Sequence, residues 1–200
     1  HAMAKSLSFD YELTGIGIGA PNANYHKGTV ETPANLWKFR DGDPNPDESR
    51  RIFPLASDIS NCFGGVKTLI TNDANAATIG EMIYGNAKGM KDFIMITLGT
   101  GLGSGFVANG EMIYGDDGFA GEFGHMTLVP DGRPCYCGKR GCVDAYCSAK
   151  VLSALTGGNL ALFFDGLRAG DRTLQAAWDE YLAHLAVAVN NLRMIFDCDV

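Results

Sequence analysis

The chain has 200 residues, of which 46% are hydrophobic, enough to build one large domain or two small ones. Its formal net charge of -7, without any stripe of lysine and arginine, argues against a nucleic-acid-binding surface. No apolar run approaches the ~20 residues of a membrane span, and no signal-peptide pattern opens the chain. Six cysteines are too few for a disulfide scaffold, and without an export signal or an apolar span we predict a cytoplasmic protein with no membrane partner.

Strands and helices are mixed along the sequence, which predicts an α/β protein. Residues 13–23 predict a short strand that enters a Gly-Pro-Asn turn, in which Asn22 can adopt the left-handed conformation. The further predicted elements are, in order, a polar loop over 40–50, a helix near 48–63, a buried strand over 66–73, a helix over 74–84, a strand over 92–99, a hairpin over 104–115 and a helix over 173–197.

Two of these elements carry a specific local signal. The Asn109-Gly110 pair fits the two-residue type I′ turn of the predicted hairpin. The last helix has apolar residues at steps of three or four, which predict one buried face. That face consists of Leu174, Trp178, Tyr181, Leu185, Val189, Leu192 and Phe196. A change of composition near 64–71 suggests a boundary between two lobes.

One histidine and three cysteines lie close together, with the spacing His-x9-Cys-x-Cys-x4-Cys. They are His125, Cys135, Cys137 and Cys142. Thiolates with one imidazole suit tetrahedral zinc, and four protein ligands close the coordination sphere, so the predicted site is structural. The alternative is a set of incidental core thiols and a surface histidine. The spacing favours zinc.

Two other segments allow both a structural and a chemical interpretation. Asn72-Asp73 lies where a strand ends and a helix begins, which is where open α/β folds bind ligands, but Asp73 could also simply cap the helix. The stretch Thr97–Phe106, "TLGTGLGSGF", lacks both the P-loop and the G-x-G-x-x-G pattern and joins strand to strand. It could be a flexible hairpin, or its backbone amides could bind phosphate.

Five motifs of this sequence resemble those of the ROK family of sugar kinases and sugar-sensing repressors, in the same order. They are "GIGIGAPNANY", "PANLW", "TNDANAA", "TLGTGLGSG", and "GFAGEFGH" followed by "CYCGKRGCVDAYCS". The resemblance implies an actin-like (ribonuclease H-like) α/β sugar kinase fold with two lobes. Residues 1–71 would be the remainder of a smaller N-terminal lobe, and 72–200 a larger lobe with the zinc loop at 125–142.

The resemblance also implies roles for individual residues. Asp73 matches the catalytic base that takes a proton while a hexose hydroxyl attacks the γ-phosphoryl group of ATP, with Mg²⁺ present. The implied sugar contacts are Asn35, Asn72, Asp73, Glu122, His125 and Asp144, and the implied ATP-phosphate contacts are Gly99, Thr100 and Gly101. At Asp144 the family usually has glutamate, so this carboxylate lies one methylene further back.

The family begins with an Asp-x-Gly-Gly-Thr phosphate loop and continues into a glycine-rich adenine-binding segment, and neither is found here. We therefore expect the central part of a longer protein, and little kinase activity from these 200 residues alone. We also expect a homodimer or higher homo-oligomer. A glucokinase-like hexose kinase is the leading interpretation. The alternatives are a sugar-responsive regulator, which would bind nucleic acid through an N-terminal helix-turn-helix, and a non-catalytic, zinc-stabilised sugar-binding module.

Overall fold

The computed structural model describes residues 12–31 and 52–198. These residues form two compact units. The first unit contains 12–31, 52–88 and 113–120, and the second contains 89–112 and 121–198. The predicted boundary between residues 71 and 72 stays a prediction.

The first unit combines a parallel pair of strands with a small antiparallel sheet and two helices. Its elements are β1 (Ile16–Gly19), β2 (Ala23–Asn24), β3 (Thr29–Glu31), β4 (Ile52–Phe53), α1 (Leu55–Cys62), β5 (Thr68–Thr71) and α2 (Asp73–Tyr84). β1 pairs with β5 in parallel, from Ile16 opposite Thr68 to Gly19 opposite Thr71. β3 lies between β2 and β4 in the antiparallel sheet. Because β1 and β5 are parallel, the chain leaves both strands at the same edge.

The second unit packs helices around one antiparallel sheet. Its elements are β6 (Phe93–Leu98), β7 (Leu102–Ala108), β8 (Glu111–Met112), a 3₁₀ helix (Phe123–His125), α3 (Asp144–Cys147), α4 (Ala149–Ser153), a 3₁₀ helix (Ala154–Thr156), α5 (Leu160–Arg168) and α6 (Arg172–Phe196). β7 lies between β6 and β8. The core of this unit includes Leu102, Phe123, Val143, Phe163 and Tyr181, so strand, loop and helix residues share it.

Most predicted elements are confirmed, with small shifts at their ends. Asn22 and Asn109 have φ angles of 54° each, and Gly110 has 81°, as the predicted turns require. The helix predicted near 48–63 was wrong at its start, because residues 52–53 form β4 and α1 begins at Leu55, directly after Pro54. None of the described helices is both long and apolar enough to span a membrane.

One position of the predicted apolar face of α6 was wrong. Val189 is 45% exposed, whereas its neighbour Ala188 is 1% exposed and belongs to the core. The buried face therefore steps from Leu185 to Ala188 to Leu192. With 3.6 residues per turn, a step of three and a step of four suit this face equally well. Residue size favoured Val189, but the packing of the helix selected Ala188.

A matched pair of substitutions tests this orientation of α6. We predict that Ala188→Leu lowers the free energy of unfolding by about 1–3 kcal/mol, because a filled core has no room for three more carbon atoms. Val189→Leu should change it by less than about 0.5 kcal/mol, as is usual at an exposed position. Urea denaturation of both variants measures the difference. Equal effects would contradict the assigned face.

Candidate functional site

The four residues predicted to bind a metal lie together in the second unit. One donor atom each from His125, Cys135, Cys137 and Cys142 falls within 4.8 Å of the other three. His125 Nδ1 lies 3.7 Å from the sulfur of Cys135, and the sulfurs of Cys137 and Cys142 are also 3.7 Å apart. Zinc–sulfur bonds of about 2.3 Å in a tetrahedral site place two sulfurs about 3.8 Å apart. The donor set and its spacing therefore fit a four-coordinate zinc ion.

Backbone hydrogen bonds fold the loop so that these donor atoms meet. The N–H of Leu128 donates to the carbonyl of Gly141 at 2.7 Å, and the N–H of Cys135 donates to the carbonyl of Lys139 at 2.9 Å. Gly141 has a φ of 80°, and a Cβ added there would lie 1.7 Å from the carbonyl oxygen of Val129. Only glycine satisfies both the left-handed backbone and this close approach.

The thiols of the cluster differ in how readily they ionise. Burial, followed by hydrogen bonds from the neighbouring thiols, raises the pKa of Cys142 to about 12. At Cys137, burial raises the pKa, but hydrogen bonds from the backbone of Lys139 and from the adjacent thiols outweigh burial and leave the pKa lowered. A metal ion that binds this cluster must therefore displace a proton from Cys142 at neutral pH.

Tyr136, between two of the cysteines, is a part of the site that the sequence analysis missed. Its hydroxyl lies 3.1 Å from Nε2 of His125, although its ring is exposed. Desolvation, and next the negative charge of Asp144, raise the pKa of Tyr136 to about 12, so the hydroxyl is neutral at physiological pH. If Nδ1 of His125 binds a metal, Nε2 carries the proton and donates it to this hydroxyl. The signal in the sequence is the position of the tyrosine within "CYC".

Side-chain contacts attach the loop to the helices of the second unit. The N–H of Arg133 donates to the hydroxyl of Tyr146 at 2.8 Å, and its guanidinium forms an ion pair with Glu180 of α6, also at 2.8 Å. The hydroxyl of Tyr181 donates to the carbonyl of Cys147 at 2.8 Å. The segment that follows Cys142 is thus fixed to the long helix by buried or half-buried aromatic residues.

The predicted sugar contacts of the second unit lie at the two ends of this loop. Glu122 is exposed and directly precedes the 3₁₀ helix that ends in His125. Asp144 is only 7% exposed and begins α3, two residues after Cys142. Its Oδ1 accepts a hydrogen bond of 2.6 Å from the N–H of Leu102. One oxygen of Asp144 is therefore already bonded to the backbone, and a contact with a sugar stays a prediction.

The predicted phosphate contacts form the turn between β6 and β7, which confirms that this glycine-rich stretch joins strand to strand. Gly99 and Thr100 are exposed. The N–H of Gly99 donates to the carbonyl of Gly101 at 3.1 Å, and the carbonyl of Gly99 accepts from Ala149 at 2.9 Å. The binding of nucleotide phosphates by this turn stays a prediction.

Asn72 and Asp73 lie in the first unit, where β5 ends and α2 begins. The alternative role of Asp73 as the helix cap is not found, because the N-cap residue is Asn72, whose side-chain oxygen accepts from the N–H of Ala74 at 2.8 Å. Asp73 is exposed, and its Oδ1 accepts from the same N–H at 3.0 Å. Its second oxygen can accept a proton. Asn35 lies outside the described residues.

Comparisons with known proteins agree with the motifs. The profile of the ROK family matches residues 11–200. A glucokinase of Halalkalibacterium halodurans is 40% identical over 147 residues, which are 72% of this chain and 40% of the relative. A xylose repressor of Bacillus spizizenii is 37% identical over 153 residues, which are 76% of this chain and 36% of the relative. The chain spans about two fifths of the length of these relatives.

The structure is similar to that of a ROK family glucokinase from Streptomyces griseus, solved in complex with glucose and AMPPNP. The TM-score is 0.72 at 30% sequence identity, over 98% of this chain and 67% of the other. The fold is therefore the actin-like α/β fold of ROK sugar kinases, as predicted. The profile match over residues 11–200 and the glucokinase-like structure show that the chain belongs to the ROK family.

Proposed function

We propose that the protein carrying this chain is an ATP-dependent hexose kinase, similar to glucokinases, with Asp73 as the general base. The observation that carries this proposal is an exposed aspartate at the carboxyl end of a strand in a parallel pair, within "TNDANAA". Asp73 needs no cap function, because Asn72 already caps α2. Its carboxylate is therefore available for chemistry at the edge where open α/β sheets bind ligands.

In the proposed reaction a glucose-like hexose loses the proton of one hydroxyl, which we take to be the 6-hydroxyl, to Asp73. The hydroxyl oxygen forms a bond to the γ-phosphorus of ATP while the bond from that phosphorus to the β–γ bridging oxygen breaks. The products are a hexose phosphate, ADP and a proton. Magnesium bound to the nucleotide would neutralise part of the phosphate charge.

The other predicted residues would position the two substrates. The helix cap uses only the side-chain oxygen of Asn72. The two N–H groups of the side-chain amide suit a neighbouring hexose hydroxyl. Glu122, Asn35 and His125 would bind further hydroxyls. In the Gly99–Gly101 turn, the N–H groups of Thr100 and Gly101 would bind the phosphates, because the N–H of Gly99 already donates within the turn and the glycines allow close approach of an anion. Positioning of this kind supplies most of the rate in phosphoryl transfer.

Zinc, held by His125, Cys135, Cys137 and Cys142, would have a structural role. Four protein ligands leave no open position for a substrate. With Nδ1 of His125 directed at the sulfurs, Nε2 points to Tyr136, on the other side of the ring. The ion would thus fix the orientation of a histidine that is also a predicted hexose contact.

A sugar-responsive transcriptional regulator is the second candidate, favoured by the 37% identity to a xylose repressor. Such a protein needs a sugar-binding site and the ordered loop, but it needs no proton acceptor. Retention of Asp73 and of the Gly99–Gly101 turn supports the kinase. Association of two or more copies and a cytoplasmic location stay predictions.

The first test concerns the metal. We predict about one zinc ion per chain in freshly purified protein, and its loss in Cys137→Ser together with the ordered structure of residues 125–142, because the metal supplies much of the stability of such a loop. Elemental analysis and hydrogen exchange measure both effects. Cys62→Ser is the control, since Cys62 is likewise an exposed free cysteine but lies in α1. Unchelated protein without zinc would refute this assignment.

The second test concerns Tyr136. Tyr136→Phe removes the hydroxyl that faces Nε2 of His125, so we expect zinc affinity to fall by about tenfold, within the range for such supporting partners. Competition with a chromophoric chelator measures the affinity. Tyr84→Phe, at a residue that is 87% exposed, should leave it unchanged. An equal affinity in both variants would show that the contact does not support the metal.

The third test concerns the general base. Asp73→Asn should lower turnover by ~10²–10⁴-fold while glucose affinity changes only a few fold, because the carboxamide keeps the shape but cannot accept the proton. A coupled ADP assay and calorimetry provide the two values in the full-length protein. Asp58→Asn makes the same change in the first turn of α1 and should be silent. Near wild-type turnover in Asp73→Asn would exclude Asp73 as the base.

A further inference from the structure

The buried carboxylate of Asp144 is bonded to a strand of the sheet, 42 residues away in the sequence. A carboxylate that is 7% exposed requires hydrogen-bond donors to compensate for its loss of water. The N–H of Leu102 provides one at 2.6 Å, slightly shorter than the usual distance for an N–H donor, as the negative charge of a carboxylate favours. Leu102 is itself 7% exposed, so little water competes for this bond.

This bond lies at the base of the glycine-rich turn. Leu102 is the first residue of β7 and directly follows the Gly99–Gly101 turn. A Cβ added to Gly101 would lie 3.2 Å from Oδ1 of Asp144, so the carboxylate lies against the turn itself. At the other end of the turn, Gly99 accepts a hydrogen bond from Ala149, the first residue of α4. The segment 144–149 therefore contacts both ends of the turn.

The carbonyl side of Leu102 contacts the other end of the metal-binding loop. A Cβ added to Gly124 would lie 2.2 Å from the carbonyl oxygen of Leu102, so the 3₁₀ helix with His125 packs directly on the strand backbone. The N–H of Leu102 meets Asp144, and its carbonyl meets Gly124. Both ends of the loop thus restrict the backbone at the start of β7.

We infer that Asp144 positions the Gly99–Gly101 turn for nucleotide phosphates and that its main role is not a direct contact with the hexose. The inference rests on the proposed kinase function. A turn held in place in the absence of ligand loses little entropy when phosphate oxygens bind its amides. The shorter aspartate suits this role, because its carboxylate stays close to its own backbone and reaches Leu102. Asp144 acts through the turn and is a positioning residue.

The experiment separates nucleotide binding from hexose binding. Calorimetry of the full-length protein gives the affinity for Mg-ATP and for glucose, and hydrogen exchange reports on the N–H of Leu102. In Asp144→Ala, Mg-ATP affinity should fall by roughly tenfold or more, which corresponds to the loss of one charge-assisted hydrogen bond. The N–H of Leu102 should exchange faster. Glucose affinity should stay close to that of the wild type.

Two further variants and a control keep the test valid if Asp144→Ala is poorly folded. Asp144→Asn keeps a neutral acceptor of the same shape and should lose less Mg-ATP affinity than Asp144→Ala. Asp144→Glu adds a methylene that displaces the acceptor from Leu102, so Mg-ATP affinity should fall again. Asp131→Asn removes an exposed charge from the same loop, at a φ of 55° that asparagine tolerates, and should change neither affinity.

The opposite pattern would overturn the inference. If Asp144→Ala or Asp144→Glu changed glucose affinity while Mg-ATP affinity and the exchange of Leu102 stayed at wild-type values, Asp144 would be a hexose ligand. Failure of the proposed function would look different, with Mg-ATP bound by the wild type but no phosphate transferred to a hexose. Loss of Mg-ATP affinity in Asp144→Ala would support the positioning role even then. A wild type that does not bind Mg-ATP would refute both.

Discussion

The convergence of one imidazole nitrogen and three sulfurs within 4.8 Å is the constraint on which the site of the second unit depends. The loop from 125 to 142 has no long helix or strand, and its backbone forms two isolated bridges. Single backbone hydrogen bonds, such as those from Leu128 to Gly141 and from Cys135 to Lys139, hold this loop together with the side chains of the cluster. The segments that flank this cluster carry Glu122 on one side and Asp144 on the other.

The backbone of Leu102 extends this order from the loop to the sheet. Its N–H is bonded to a buried carboxylate, and its carbonyl packs against a glycine of the 3₁₀ helix. Leu102 is 7% exposed and Gly124 is buried, and in such surroundings the bond to Asp144 resists competition from solvent. Elements proposed to bind different substrates are thereby joined within one packed unit. A disturbance at the cluster should reach the glycine-rich turn through these contacts and not through a flexible linker.

The two candidate functions of a ROK chain place different demands on these parts. A sugar sensor and a sugar kinase both need an ordered loop and hydroxyl contacts. Only the kinase needs a proton acceptor beside the hydroxyl and a preorganised set of N–H groups that donate hydrogen bonds to the phosphates. Asp73, which is exposed and not required as a cap, and the turn fixed by Asp144 therefore have a clear use in phosphoryl transfer. In the sensor neither feature would have an evident role.

The sequence by itself determined the features that depend on local chemistry. Ligand type and spacing predicted the cluster at His125, Cys135, Cys137 and Cys142, and the Asn109-Gly110 pair predicted a turn with two positive φ angles. Apolar periodicity predicted α6 nearly to its ends, because the helical period appears in residues only three or four positions apart. The five motifs, in order, predicted the family and with it the fold.

Only the tertiary structure decided which of several equivalent local choices was used. Ala188 and Val189 satisfy the helical period equally, and the packing of the helix selected Ala188 for the core. Asn72 and Asp73 can both cap a helix, and the residue at which the helix begins selected Asn72. The bond between Asp144 and Leu102 joins residues 42 positions apart, and Tyr136 meets His125 only after the loop has closed. Such contacts depend on how distant segments pack, which no local pattern of residues specifies.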